Sequence, residues 1–280
     1  MNDPLILVTG ASGKTGSAIT QRLRSNGARL RLASRSLDIP GAADVHFDWN
    51  DPTTFEAALS DVERIYLLAP TGDNAPLRLV APFIDKALLA GVKRFVLLSS
   101  TQLHEGGPAM GQIHAYLRQV APEWAVLRPS WFMQNFINEP HLSTIVNEGA
   151  IYSATADGRV PFVSVEDIAE VGARVLLQSN APEHDLIITG PKLLGYDDIA
   201  RTISTVTGKS VHHVRLSENE LSARYVRFGL PKDYADTLAK LDGLIASGVE
   251  EKLSEVVPRI AGRPAASFSE FAKLHVTSWR

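Results

Sequence analysis

The stretch Val8-Thr9-Gly10-Ala11-Ser12-Gly13-Lys14-Thr15-Gly16 constrains this chain more than any other. It closes the apolar run Leu5-Ile6-Leu7-Val8 and opens a helical pattern from Ala18 to Leu23. Its three glycines lie where a buried strand must turn sharply into a helix. Such a turn gathers backbone N–H groups and a helix N-terminus, and a diphosphate can be held there. Gly-Lys-Thr at 13–15 suggests a P-loop, yet that motif needs four residues between its first glycine and the Gly-Lys pair. Only two residues separate Gly10 from Gly13. The spacing reads instead as a relaxed dinucleotide-binding turn, to which Gly10, Ser12, Gly13, Lys14, Thr15 and Gly16 contribute.

The surrounding pattern supplies the context that such a turn requires. Apolar or β-branched runs predict strands at 5–8, 29–34, 45–48, 65–69, 95–99 and 124–127. Helical spacings fall between them at 15–26, 52–59, 77–90 and 112–119. Near-continuous apolar strands alternating with helices mean a parallel sheet buried on both faces. The fold class is therefore α/β, a doubly wound parallel sheet of the Rossmann type, over residues 1–129. Beyond Pro129 the rhythm loosens. Helices are predicted at 138–149, 165–178 and 196–207, and extended segments at 151–153, 186–189 and 211–216. Ser217 and Glu220 form a capping-box pattern that opens a further helix. These strands are too few for a second doubly wound sheet. Residues 130–280 are expected to form a smaller, mostly helical substrate lobe, some of whose segments pack back onto the sheet.

Composition narrows the partners. With 28 basic and 31 acidic residues the net charge is −3 and no long basic run is present, so nucleic acid is not expected as a partner. The absence of cysteine removes thiol chemistry, disulfides and Cys-based metal sites. No apolar run approaches the ~20 residues of a membrane span. The first strand begins a few residues after Met1, leaving no room for a signal peptide, and a cytoplasmic protein is expected. His212 and His213 adjoin on an extended segment and so point to opposite faces. No metal-ligand spacing occurs elsewhere, and no metal is expected.

The strand ends carry the remaining candidates. After the second predicted strand come Ser34-Arg35-Ser36, with no carboxylate until Asp38. NAD-binding turns place Asp or Glu there, whereas a cation suits the 2′-phosphate of NADP. Arg35 offers a planar fork and Ser34 a hydroxyl, which favours NADP(H), although Arg35 also reads as a solvated loop cation. Asp48 and Trp49 are placed to border an adenine, and Trp49 serves equally well as a packing aromatic. Ala69-Pro70-Thr71-Gly72 and Ser99-Ser100-Thr101 close two further strands at the same sheet edge. Ala69 and Pro70 belong to the expected cofactor crevice. The Ser99 hydroxyl is in reach of a nicotinamide or substrate, though serines after strands are also good turn formers. His114 is the candidate titrating group, with a buried structural histidine as the alternative. Tyr116 ranks second and faces away from it on a helix. Trp131, Phe132 and Asn135 are candidates for a substrate wall, and Phe136 reads as core.

These residues resemble the atypical, NmrA-like branch of the short-chain dehydrogenase/reductase family. The resemblance is carried by the GASGKTG turn, ASRS, FDW, YLLAP and GVKRFVLLSS. GGPAMGQIHAYL (106–117) and WAVLRPSWFMQNF (124–136) are similar to the festuclavine and agroclavine dehydrogenase group of ergot alkaloid biosynthesis. PFVSVEDIA (161–169) is a feature of the wider branch. The resemblance implies an NADPH-dependent reductase of a C=N or conjugated C=C bond in a small apolar or aromatic substrate. A quinone reductase of the same branch and a non-catalytic NADP-sensing regulator are the alternatives, and a homodimer is an open possibility. One family feature is missing. The six tyrosines are followed four residues later by Pro70, Val120, Ala156, Ala200, Gly229 and Leu238, so no Tyr-x-x-x-Lys occurs.

Overall fold

The computed structural model describes residues 3–37, 44–70 and 75–280. Asp38, Thr71 and Gly72 lie outside the described residues. The strands are β1 (Leu5–Thr9), β2 (Arg29–Ser34), β3 (Val45–His46), β4 (Val62–Leu67), β5 (Arg94–Leu98), β6 (Glu123–Pro129), β7 (Ala150–Ser153), β8 (Asp185–Ile188) and β9 (His212–Arg215). The first helices are α1 (Lys14–Ser25), α2 (Phe55–Leu59), α3 (Leu77–Leu89), α4 (Met110–Val120), α5 (Leu142–Glu148) and α6 (Val165–Leu177). There follow α7 (Tyr196–Thr207), α8 (Glu218–Arg227), α9 (Lys232–Ala246), α10 (Val256–Ala261) and α11 (Phe268–Leu274).

The chain forms two compact units. The first contains residues 3–129, 165–188 and 256–262. Its seven strands run parallel in the order β3-β2-β1-β4-β5-β6-β8. Ile6, Leu7, Val8, Phe95, Val96 and Leu97 are all buried, as a sheet covered on both faces demands. A division at 129/130 misses the last strand and its helix. Residues 126–129 of β6 pair in parallel with residues 185–188 of β8, and α6 packs on α1, which brings 165–188 back to this sheet. Gly172 is why α6 fits: a Cβ there would lie 2.8 Å from Ile19 Cδ1 and 3.0 Å from Leu127 Cδ1.

β5, β6 and β8 each start one residue earlier than their apolar runs suggest, because each opens on a charged residue, Arg94, Glu123 and Asp185, and β4 starts at Val62, ahead of Glu63 and Arg64. β5 begins at Arg94, which is fully buried. Its guanidinium lies 2.6 Å from the Glu123 carboxylate and donates to the carbonyls of Val175, Gln178 and Ser179. With its charge paired and its donors satisfied, an arginine is tolerated inside the sheet. Conversely, β3 stops after two residues, because Asp48 turns the chain by accepting from the Asn50 backbone N–H at 2.9 Å.

The second unit contains residues 130–164, 189–255 and 263–280. It is mostly helical, with one two-stranded parallel sheet of β7 and β9. Its core gathers Met133, Phe136, Phe162, Tyr196, Phe268 and Trp279. Phe136 sits at the centre, with ring contacts to His141, Phe162, Tyr196 and Phe268. Its carbonyl accepts from the Trp279 indole N–H at 2.6 Å. The α8 capping box forms as the sequence suggests: the Glu220 carboxylate accepts from the Ser217 N–H at 2.8 Å.

Candidate functional site

The glycine turn is built by close backbone approach. Gly10 is left-handed, with φ of 62°, and Leu68, just after β4, lies so near that a Cβ would sit 2.5 Å from its Cδ2. A Cβ on Gly16 would sit 2.1 Å from the Gly10 carbonyl oxygen. The turn closes through the Gly13 N–H donating to that same carbonyl at 2.9 Å. Only glycine permits this packing, which draws the start of α1 tight against the end of β1. α1 has no side-chain cap and no acidic residue in its first turn, so its N-terminal dipole is not neutralised locally. Ser12 and Lys14 are exposed at the turn. Thr15 is not: it is buried and hydrogen-bonds the buried Tyr66 of β4, so it serves the packing of the helix.

At the end of β2, Ser34 Oγ lies 3.0 Å from Ser12 Oγ, which ties the two loops at this edge together. The adjacent Arg35 is exposed, and none of the described residues partners its guanidinium. Asp48 and Trp49 are committed elsewhere. The Asp48 carboxylate holds the Asn50 turn, and the Trp49 ring packs edge-on against Phe47 and Phe83 at centroid distances of 4.8 and 5.2 Å. Trp49 is thus a packing aromatic. Ala69 is buried and Pro70 half-buried after β4, whose carbonyls at Tyr66 and Leu68 lie within hydrogen-bond reach of the Thr9 hydroxyl.

Ser99 follows β5 at the same carboxyl edge. Its N–H donates to the Leu127 carbonyl at 2.8 Å, while its buried Oγ has no partner among the described residues. A buried hydroxyl without a protein partner retains its full hydrogen-bonding capacity. The segment after it is held by Arg128, a residue that the sequence pattern leaves unmarked at the end of β6. Arg128 donates to the carbonyls of Ser100 and Thr101, lies 3.1 Å from the His104 ring nitrogen, and pairs with Asp185 at 2.5 Å.

His114 and Tyr116 do not share a site. His114 is 3% exposed, and its ring lies 5.4 Å from that of Trp124. Its Nε2 is 4.0 Å from Glu105, beyond hydrogen-bond range, and its Nδ1 is unpartnered among the described residues. Burial pushes the imidazole pKa down and Glu105 opposes that, so the ring is held neutral near pH 7. The Tyr116 hydroxyl donates to Asp85 of α3, which raises its pKa and leaves it tied down on the α3–α4 surface.

The second unit contains a cavity of about 670 Å³, within the range of small-molecule sites. Trp131 and Asn135 line it, but Phe132 does not; the Phe132 backbone forms an isolated bridge to Val163. The remaining walls come from β7, α5, α7, α8, α9 and the segments that flank them, and include Tyr152, Tyr225, Phe228 and Tyr234. Periodicity alone left these residues unassigned. One signal was present: on α9 the buried positions are Ala235, Ala239, Asp242 and Ile245, so a carboxylate stands on an otherwise apolar face. Among the described residues, no group of three or more His, Cys, Asp or Glu could hold a metal ion, and no helix is long and apolar enough to cross a membrane.

These features have counterparts in known proteins. The sequence model of the NmrA-like family matches residues 2–261. The chain is 41% identical over 275 residues to an uncharacterized oxidoreductase, YesF, of Bacillus subtilis (strain 168), covering 98% of this chain and 96% of that protein. It is also 41% identical over 289 residues to the agroclavine dehydrogenase of Claviceps fusiformis, covering 98% of each. Among solved structures, the NADPH-dependent quinone oxidoreductase QOR2 of Escherichia coli, in complex with NADPH, is similar at a TM-score of 0.84 and 22% identity. The match covers 96% of this chain and 99% of that one. At that identity the likeness is one of fold. The full-length family match and the two close relatives settle the kinship: this chain belongs to the NmrA-like family.

Proposed function

We propose that this protein is an NADPH-dependent oxidoreductase that reduces an iminium C=N, or a conjugated C=C, bond of a small, largely apolar molecule. The observation that carries the cofactor reading is the Gly10–Gly16 turn, with Arg35, whose guanidinium has no partner among the described residues, in the loop after β2. Gly10, Ser12, Gly13, Lys14 and Gly16 would hold the diphosphate, and Ser34 and Arg35 the 2′-phosphate. Ala69, Pro70 and Ser99 would border the nicotinamide, where the Ser99 hydroxyl, without a partner among the described residues, would find one. NADPH, when bound, supplies hydride.

The oxidoreductase class is supported by full-length relatives that carry that description, and the C=N preference by the agroclavine dehydrogenase. The chemistry agrees with what the chain lacks. An iminium already carries a positive charge, so hydride addition at carbon leaves a neutral amine, and no proton need reach oxygen. A chain without Tyr-x-x-x-Lys, and with His114 buried and neutral, suits that reaction: its residues bind, orient and exclude water. We assign His114 a positioning role.

The test is NADPH consumption with a cyclic iminium (a dihydroisoquinolinium), menadione and cinnamaldehyde as acceptors. Turnover of the iminium is expected, with a His114→Gln variant that changes kcat but keeps the wild-type pH profile. Turnover of menadione alone would move the protein to the quinone reductases. No consumption with any acceptor, together with tight NADP+ binding, would make it a redox sensor.

A further inference from the structure

The cavity of the second unit is an aromatic box with a carboxylate set into its wall. Trp131, Tyr152, Tyr196, Tyr225, Phe228 and Tyr234 all line it. Asp242 also lines it and is 6% exposed. One carboxylate oxygen, Oδ2, accepts from the Ala154 N–H at 2.9 Å; the other has no hydrogen-bond donor among the described residues. A carboxylate this deeply buried on a cavity wall is costly to charge unless something cationic arrives.

The other charges of the cavity do not supply that cation. Arg224 lies 3.5 Å from the centroid of the Tyr152 ring and donates to Glu148 at 2.7 Å, so its charge is already paired. His141, at the wall, is pushed down to about 4 by burial and is neutral near pH 7. Glu139 adds a second carboxylate at the rim. Tyr196 from α7 and Tyr225 from α8 face Asp242, and burial raises the pKa of both, so they stay protonated. Glu218 of α8 is the remaining charge that Asp242 feels, and it is of like sign. Electron-rich ring faces and uncompensated carboxylate together select for positive charge.

We propose that this cavity is a binding site for planar aromatic cations and that Asp242 determines that specificity by pairing with the cationic nitrogen. The inference deepens the reductase reading and rests on it only for what happens to the ligand after binding. A neutral acceptor of the same shape gains the ring contacts and nothing from Asp242. The same carboxylate makes binding pH-dependent. Burial raises the Asp242 pKa to about 7, so it gains its charge as pH rises through that value, and cation binding strengthens in step.

The experiment uses the full chain without NADPH and follows quenching of tryptophan fluorescence by N-methylquinolinium and by its neutral isostere, methylnaphthalene. Wild type should prefer the cation, and the preference should grow from about pH 5 to about pH 9. Asp242→Asn keeps an acceptor for the Ala154 N–H, and should weaken the cation about tenfold or more while leaving methylnaphthalene unchanged. Equal loss of both ligands, or of neither, would overturn the assignment. So would a wild-type preference that is flat with pH, a readout that needs no variant to fold. Because no turnover is measured, a missing reductase activity would leave a charge-selective cavity standing. Turnover with no charge selectivity would remove this inference alone.

Discussion

The glycine turn of the first unit and the cavity of the second are built from opposite materials. The turn is backbone: its contacts are a carbonyl, N–H groups and the missing Cβ atoms of Gly10 and Gly16. The cavity is side chain: rings from several helices, one paired arginine and one buried carboxylate. A backbone site recognises what every ligand of its class shares. A side-chain site recognises what distinguishes one ligand from another. Such a division lets one backbone frame be reused within a fold while side chains elsewhere set specificity.

Substitution at the turn should separate the two sites most sharply. Gly16→Ala puts a methyl group 2.1 Å from the Gly10 oxygen, a contact that cannot be met without opening the turn. NADPH affinity should fall about 100-fold or more, the equivalent of ~3 kcal/mol, while N-methylquinolinium still binds the cavity. Loss of both in a folded protein, checked by circular dichroism, would mean that the sites are not independent. Next in size is the pH dependence of stability. Asp242 has a folded pKa raised from 3.8 to about 7, so the folded state favours its protonated form. Its contribution is therefore present at low pH and lost as pH rises through about 4 to about 7, on the order of 2–4 kcal/mol when complete. Asp242→Asn should raise the melting temperature at about pH 8 and change it little at about pH 4. An equal shift at both would mean that the wild-type carboxylate is not strained by burial. The smallest effect is the most selective. Arg35→Ala should cost NADPH about 1.5–3 kcal/mol, the range for a hydrogen bond to a charged group, and NADH almost nothing. Competitive titration of the two cofactors reads this directly, and equal losses would remove Arg35 from the phosphate site.

The two regions also differed in how far they could be read in advance. The turn was legible because its information is local. Gly10, Gly13 and Gly16 lie within seven residues, and the strand before and helix after them follow from short-range periodicity. The roles of Asp48 and Trp49 were less so: both follow a strand end, but Trp49 went to Phe47 and Phe83 because that aromatic cluster had a gap its ring could fill. Trp131 and Asn135 were placed on a substrate wall from position alone, and both line the cavity, whereas Phe132, between them in type and place, does not. Neighbours along an irregular segment point in different directions, and only the packed chain decides which.

What the sequence determined by itself is therefore the doubly wound sheet, the glycine turn between β1 and α1 and the cation that follows β2. Each is written in residues close together, and backbone sterics translate them into shape without outside help. Tertiary structure alone decided that residues 165–188 return to the sheet, that Arg128 anchors the loop after β5, and that Asp242 meets Ala154 across 88 residues of chain. Those outcomes depend on long-range burial, in which a carboxylate's neighbours and its pKa are set by elements that the chain brings together only when it folds.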